Sequence, residues 1–311
     1  MAKLFDFKNA STLKIVLFAL LVMLLWGSLY PMVKVSYEAF HIDTAHIPSI
    51  ILFAGIRFIL CGIVLTILAS AGEKKFYFPK KRELAPVFGV ALTTIILHYS
   101  FTYIALSMGD SSKSAIIKQT GFLFLSCFAF LFDKSDHFTW RKVLAGVLGF
   151  LGIIATSTDG GFAFGLAEVL LLLSSACSAI SAVITKRATQ KMSPTGLVAY
   201  SQVIGGAFLL VLGIALGGKM PDINGRSLLV MLYICAASVI AYMLWNILLK
   251  YGDLSTLSVV KFAEPLFAVL LSGVILHEEI FKWSYGVALL LILASILLIN
   301  QRKKKHESHD L

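Results

Sequence analysis

Ten stretches of this chain are apolar enough to lie in hydrocarbon, and that property constrains its fold more than any other. They run near 13–35, 48–70, 85–107, 111–132, 140–157, 162–184, 197–217, 228–250, 255–276 and 283–300. A bilayer core takes about 20 apolar residues per helix. Within it the backbone must satisfy its own hydrogen bonds, so each stretch is read as an α-helix. The composition agrees: the chain is 58% hydrophobic and 14% charged over 311 residues, too apolar for a water-soluble fold. The first stretch follows Lys3, Lys8 and Lys14 as a signal peptide would. It has no small-residue cleavage site and nine more spans follow, so it counts as a span. The expected class is an all-α integral membrane protein of ten transmembrane helices with short connections and no soluble domain. Cys61, Cys127, Cys177 and Cys235 lie inside spans without ligand spacing. They read as small core residues, and neither a metal nor a cofactor is expected.

The stretch from Gly252 to Trp283 organises the rest. Slid back by 143 residues it nearly matches Gly109–Trp140. Between 99–140 and 242–283, 11 of 42 positions are identical without a gap: Tyr99, Ile104, Leu106, Gly109, Asp110, Ser112, Lys118, Leu123, Phe124, Phe138 and Trp140 all recur. Leu and Phe recur easily in apolar chains, but Gly-Asp, Lys and Trp in fixed register do not. The chain reads as an internal duplication, with repeats over 1–158 and 159–311.

Lysine and arginine set the orientation. With the N-terminus in the cytoplasm, inner segments hold 18 of them and outer segments four (Lys113, Lys219, Arg226 and Lys282). The positive-inside rule therefore places both termini in the cytoplasm. That asymmetry accounts for most of the +10 net charge, so no nucleic-acid partner is expected. Five spans per repeat is an odd number, so the second copy enters the membrane upside down. Inverted repeats of this kind are a transporter signature, with two halves rocking about a midplane site.

Trp26-Gly27 in span 1, Arg57 in span 2, Glu264-Pro265 in span 9 and the following His277-Glu278-Glu279 turn carry a resemblance. In these residues and its two five-helix halves, the chain resembles the EamA branch of the drug/metabolite transporter superfamily. The resemblance covers essentially the whole chain. It implies a ten-helix inverted-repeat fold in the cell's inner membrane, with a central cavity lined by spans 1, 3, 4, 6, 8 and 9. It also implies export or exchange of small metabolites. Where span 9 has Glu264-Pro265, span 4 has Gly121-Phe122, a departure in the first half.

Polar residues inside spans are costly and need a reason. Lys118 and Lys261 both sit seven or so residues into their spans, roughly 10 Å deep at the helical rise. Their helix starts carry Asp110-Ser111, and Asp253 with Ser255, as caps. Two ammonium groups near two helix N-termini suit an anionic group on a substrate; the bland alternative is snorkelling to the interface. Glu264 lies three residues after Lys261, where a pair can form and be purely structural. Lys118 has Gly121 at the matching position, which makes it the better candidate for contacting substrate.

Tyr99, Thr102 and Tyr103 in span 3, and Tyr242, Trp245 and Asn246 in span 8, make matching polar-aromatic stripes. Both are expected to face the cavity, the alternative being helix–helix hydrogen bonding. Trp26 and Tyr30, one turn apart in span 1, would complete an aromatic wall. His98 suits proton coupling, and equally a packing role. Arg57, mid-span without an acidic neighbour in its helix, calls for a partner on another helix or a backbone carbonyl. Pro31 is expected to kink span 1. Gly146, Gly149 and Gly152, with Gly205-Gly206, read as close-packing surfaces. Glu168 and the acidic turns at Asp133–Asp136 and Glu278-Glu279 are expected to reach water.

No HExxH, GxSxG, DDxxD or facing aspartate pair points to an enzyme, and a receptor would need no matched intramembrane lysines. The expectation is a transporter of the cytoplasmic membrane working by alternating access. It would move a carboxylate- or phosphate-bearing metabolite, an amino acid first; the rival is a broad exporter of apolar or drug-like compounds. Its partners are that small molecule and the bilayer. Proton coupling, exchange and facilitated diffusion all stay open, as do monomer and homodimer.

Overall fold

The computed structural model describes residues 11–73, 78–121, 124, 140–155, 165–251, 257, 260–261 and 263–300. Among them all regular structure is helical: α1 (Thr12–Ala39), α2 (Ile47–Glu73), α3 (Lys81–Met108), α4 (Ser111–Lys118), α5 (Trp140–Ala155), α6 (Leu166–Ala188), α7 (Pro194–Ala215), α8 (Gly225–Tyr251), α9 (Ala263–Leu276) and α10 (Trp283–Asn300). Six of these, α1, α2, α3, α6, α7 and α8, are long and apolar enough to cross a membrane, and α9 and α10 contain shorter apolar stretches. Caps mark several ends. The Ser11 hydroxyl accepts from Lys14 N at 3.3 Å, and Ser193 caps α7, which starts on Pro194. Pro31 is held inside α1, which runs on to Ala39. Past α7, Gly217 takes φ +82 and Gly218 N returns to Gly213 O at 2.8 Å, the left-handed stop that glycine adopts without strain.

Glycine decides how closely the longest helices approach. Gly55 of α2 meets Gly206 and Leu210 of α7, Gly62 meets Ala199 and Val203, and Gly213 meets Leu52. Partner numbers fall along α7 as they rise along α2, so the two helices run antiparallel. A Cβ at Gly55 would lie 2.5 Å from Leu210 N, which is why this seam needs small residues. Gly152 of α5 packs on Ala288 and Ile292 of α10, and Gly205 on Ile95, so Gly152, Gly205 and Gly206 pack closely as expected.

Helix α7 occupies the positions of α2 plus 143 residues, and the remaining neighbours follow the same shift. α1 packs on α8 and α9, while α6 packs on α3 and α4; α4 meets α9, and α5 meets α10. At one end of the bundle the α1–α2 and α7–α8 connections touch. There Asp222 N donates to Phe40 O and Asn224 Nδ2 to Ala39 O, both at 3.1 Å.

Two expectations about acidic residues fail at the same end. Glu278 is not solvated. Its carboxylate accepts from Ser111 N at 2.8 Å, Ser112 N at 3.0 Å and Ser112 Oγ at 2.7 Å, and it pairs with Lys34 Nζ at 3.2 Å. His277, in the left-handed region at φ 55, turns the chain past α9 into this position. Glu278 thus caps α4 from across the fold, while Asp110, at the N-cap position, makes no side-chain capping bond. Glu168 does not reach water either; it accepts from Gly165 N at 2.8 Å and pairs with Lys113 at 2.6 Å. A desolvated carboxylate needs such donors. Asp133–Asp136, Cys127, and the proposed cap at Asp253 and Ser255 lie outside the described residues.

Candidate functional site

A cavity of about 380 Å³ lies between α1, α2, α3, α4, α6, α8 and α9. The six expected spans all contribute, and Arg57 adds α2. Of the residues singled out in the sequence, Trp26, Tyr30, Arg57, His98, Tyr99, Thr102, Tyr103, Lys118, Tyr242, Trp245, Lys261 and Glu264 line it. Asn246 does not. It lies one helical step past Trp245, about 100° around α8, so the stripe on that helix is narrower than expected.

Both lysines stand at interruptions of their helices, which were expected to be continuous. Lys118 is the last residue of α4, and Gln119 N turns back to Ile116 O at 3.1 Å. Lys261 lies in a turn before α9, where Glu264 N bonds Lys261 O at 3.2 Å. Tight i→i−3 turns in the middle of an apolar segment free backbone groups at depth. They are tolerated where the chain lines a cavity.

Lys118 is held by neutral groups on neighbouring helices. Its Nζ donates to His98 Nε2 at 2.8 Å, Thr102 Oγ1 at 3.1 Å and Ser174 Oγ at 3.3 Å. The opposite ring nitrogen, His98 Nδ1, lies 2.9 Å from Ser174 O. A carbonyl only accepts, so Nδ1 carries the hydrogen and Nε2 presents its lone pair to the ammonium. The histidine is thereby a neutral positioning group for Lys118 in this arrangement. α3 is wound as a π-helix from Ala91 to Tyr99, a local widening frequent at functional sites.

Lys261 has a different setting. Its Nζ stands 5.9 Å from the Trp26 ring centre and 5.6 Å from that of Trp245, within cation–π range. Glu264 is one turn on and shares the cavity wall with Tyr30. Trp26 also packs on Trp245 at 5.5 Å and edge-on to Tyr242 at 5.8 Å. This is the aromatic wall expected from the three helices.

Arg57, 2% exposed, finds its partners on other helices as expected, and they are neutral. NH1 donates to the Tyr103 hydroxyl and NH2 to Ser238 Oγ at 2.6 Å, with Phe58 4.9 Å beneath the guanidinium. Among the described residues its Nε has no hydrogen-bond partner, nor does Gln119 Oε1. Both residues border the cavity. Unused polar atoms in a buried wall are what a bound polar ligand would satisfy.

A model of the EamA-like transporter family matches residues 13–158 and again 165–301. The chain belongs to the EamA-like transporter family. It is 29% identical over 296 residues to the uncharacterized transporter YvbV of Bacillus subtilis, covering 92% of each chain. It is also 23% identical over 268 residues to an uncharacterized transporter of Archaeoglobus fulgidus, covering 83% of this chain and 88% of that one. A solved structure titled only as a crystal structure of a protein aligns with a TM-score of 0.64. It shares 19% identity over 94% of this chain and 99% of its own, a likeness of fold. The EamA-family chain is thus a multi-pass membrane protein and a transporter of small molecules.

In this EamA-family chain span 6 lines the cavity as expected, but the residues by which it does so were not singled out in the sequence. Ser178, Ser181 and Thr185 line the cavity, and Ser174 holds Lys118. The signal was present: 174, 178, 181 and 185 are spaced 4, 3 and 4, one helical face. Thr94, hydrogen-bonded to Ser181, extends the His98–Thr102 stripe one turn back.

Proposed function

We propose that this EamA-family protein is a secondary transporter of the cytoplasmic membrane that moves metabolites carrying a carboxylate or phosphate, amino acids first. Ten helices form two inverted five-helix repeats, over 1–158 and 159–311, with both termini cytoplasmic. The antiparallel seam of α2 and α7, which are repeat equivalents, supports the inversion. Alternating access then follows as a rocking of the two halves about the cavity between them.

The observation that carries this reading is the setting of Lys118. Lys261 has a carboxylate one turn away, whereas among the described residues every direct polar contact of Lys118 is neutral. With Arg57, the described residues of the wall include three cationic side chains and one carboxylate, Glu264. A substrate anion at Lys118 supplies there what Glu264 supplies in the other half, with Trp26, Tyr242 and Trp245 covering its apolar part. That aromatic wall also favours a second reading, a broad exporter of apolar compounds, in which Lys118 only packs.

The two readings part on one variant. Ligands are first found by thermal stabilisation against a metabolite mixture, since binding to the folded state raises apparent stability. Flux is then measured in proteoliposomes. Lys118→Met should fold, lose transport of the anionic substrate, and move an uncharged analogue at close to the parental rate. If it carries the anionic substrate at the parental rate, the charge is not part of the site and the apolar-exporter reading takes over.

A further inference from the structure

A second cavity, of about 920 Å³, lies away from the central one, between the start of α3 and the end of α6. Its walls divide by chemistry. Arg82, Arg187 and Lys191 border one end, and Pro86, Ile180 and Ile184 line the apolar side. Among the described lining residues one carboxylate is present, Glu83. It is 7% exposed and turned to its own backbone, accepting from Lys80 N at 2.9 Å. Cationic side chains therefore dominate the polar end.

From Arg187 back to Ile180 along α6 is seven residues, roughly 10 Å at the helical rise. The cavity thus runs from a basic end at the helix terminus into the depth occupied by hydrocarbon. Ile180, on that wall, is 42% exposed, a side chain at a depth where lipid is the surrounding medium. A free anion would use only the basic end. A molecule using both ends is amphiphilic, negative at the head and apolar along the tail.

We propose that this cavity is a binding site for an anionic phospholipid. Its phosphate meets Arg82, Arg187 and Lys191, and one acyl chain lies along Pro86, Ile180 and Ile184. Basic clefts between helices at a membrane face suit such headgroups. The residues of α6 that face the central cavity, Ser178, Ser181 and Thr185, alternate with Ile180, Ile184 and Arg187 on the same turns. A lipid seated here therefore braces α6 against α3 from the side opposite the site.

The full chain, purified in detergent and stripped of lipid, is titrated with phosphatidylglycerol and, separately, with phosphatidylcholine of the same acyl chains. Thermal unfolding and the lipid retained in native mass spectrometry are read for each. Phosphatidylglycerol should raise the unfolding temperature and stay bound, and phosphatidylcholine should do neither. In R82Q/R187Q/K191Q the phosphatidylglycerol affinity should fall by about fivefold per cation removed. K80Q/K81Q/K186Q, with equal charge lost outside the cavity, should behave as the parent. Ile180→Trp, which fills the apolar wall and leaves the charges alone, should also weaken binding, and it decides the matter if the triple variant does not fold. The proposal is overturned by equal stabilisation from phosphatidylcholine, by unchanged binding in Ile180→Trp, or by inorganic phosphate alone reproducing the effect.

Discussion

The hydroxyls of Tyr99 and Tyr242 are hydrogen-bonded to each other at 2.9 Å across 143 residues of sequence, the same interval that separates the two matching stretches of the sequence. Each tyrosine meets its own counterpart. This pair lies in the wall of the central cavity, between α3 and α8.

Tyr99→Phe and Tyr242→Phe should each lower stability by about 1 kcal/mol, the usual net value of one hydrogen bond. The double variant should cost no more than the worse single one, because one bond is lost in all three. Thermal unfolding in detergent gives the comparison, and strictly additive losses would show that each hydroxyl has another partner that matters more.

Lys261→Met should be strongly destabilised. Removing the ammonium takes a cation from the cavity wall that also holds the Glu264 carboxylate, and leaving a buried charge uncompensated costs about 3–5 kcal/mol. It also takes a cation from the Trp26 and Trp245 rings. Adding Glu264→Gln should restore much of the loss, read as yield of monodisperse protein. Lys118→Met should not show this behaviour.

Glu278 makes the end of the bundle sensitive to acid. Burial works to raise its pKa, but the amides of Ser112 and Ser111, the Ser112 hydroxyl and Lys34 together hold the carboxyl below its ordinary range. A depressed folded-state pKa contributes stability that is complete above the unfolded value, about 4.3 for a glutamate. It is lost as pH falls below that value toward the folded one. Glu278→Gln should therefore lower the unfolding temperature at pH 7 and leave little difference from the parent at the acid end. A variant that tracks the parent at a constant offset through this range would show that the carboxylate charge is not what Ser111 and Ser112 require.

Gly206→Ala should destabilise, because its added Cβ meets Ile59 N at 2.8 Å and Gly55 O at 3.0 Å, backbone atoms that cannot step aside. A forced separation of this kind costs about 1–3 kcal/mol. Gly225→Ala meets nothing within 4 Å and should be neutral. Equal unfolding temperatures for the two variants would contradict the tight α2–α7 seam.

Cysteine labelling from outside whole cells should reach positions near Asp43 and Asp222 but not near Lys75 or Ser193. Asp222 and the α1–α2 connection are in contact at one end of the bundle, so the first two must label alike. The reverse pattern would invert the orientation read from the basic residues.

The membrane class, the positions of the apolar segments and the 143-residue register were legible in the linear sequence. Segmentation against lipid depends on the local run of apolar side chains, and a duplication is itself a linear relation. Trp26, Tyr99, Tyr242, Lys118 and Lys261 could be picked out because a polar or aromatic residue at depth stands out against its own helix. Where each polar group finds its partner was decided only by the tertiary structure. Glu278 reaches Ser111 and Ser112 across 167 and 166 residues, and Lys34 across 244. Arg57 finds Ser238 across 181. Asn246 turned out of the cavity, Ser174 came to hold Lys118, and the helices broke at both lysines. Desolvated groups take their partners from whichever helices touch, and helix contact is set by side-chain shape and glycine seams at separations that no local pattern records.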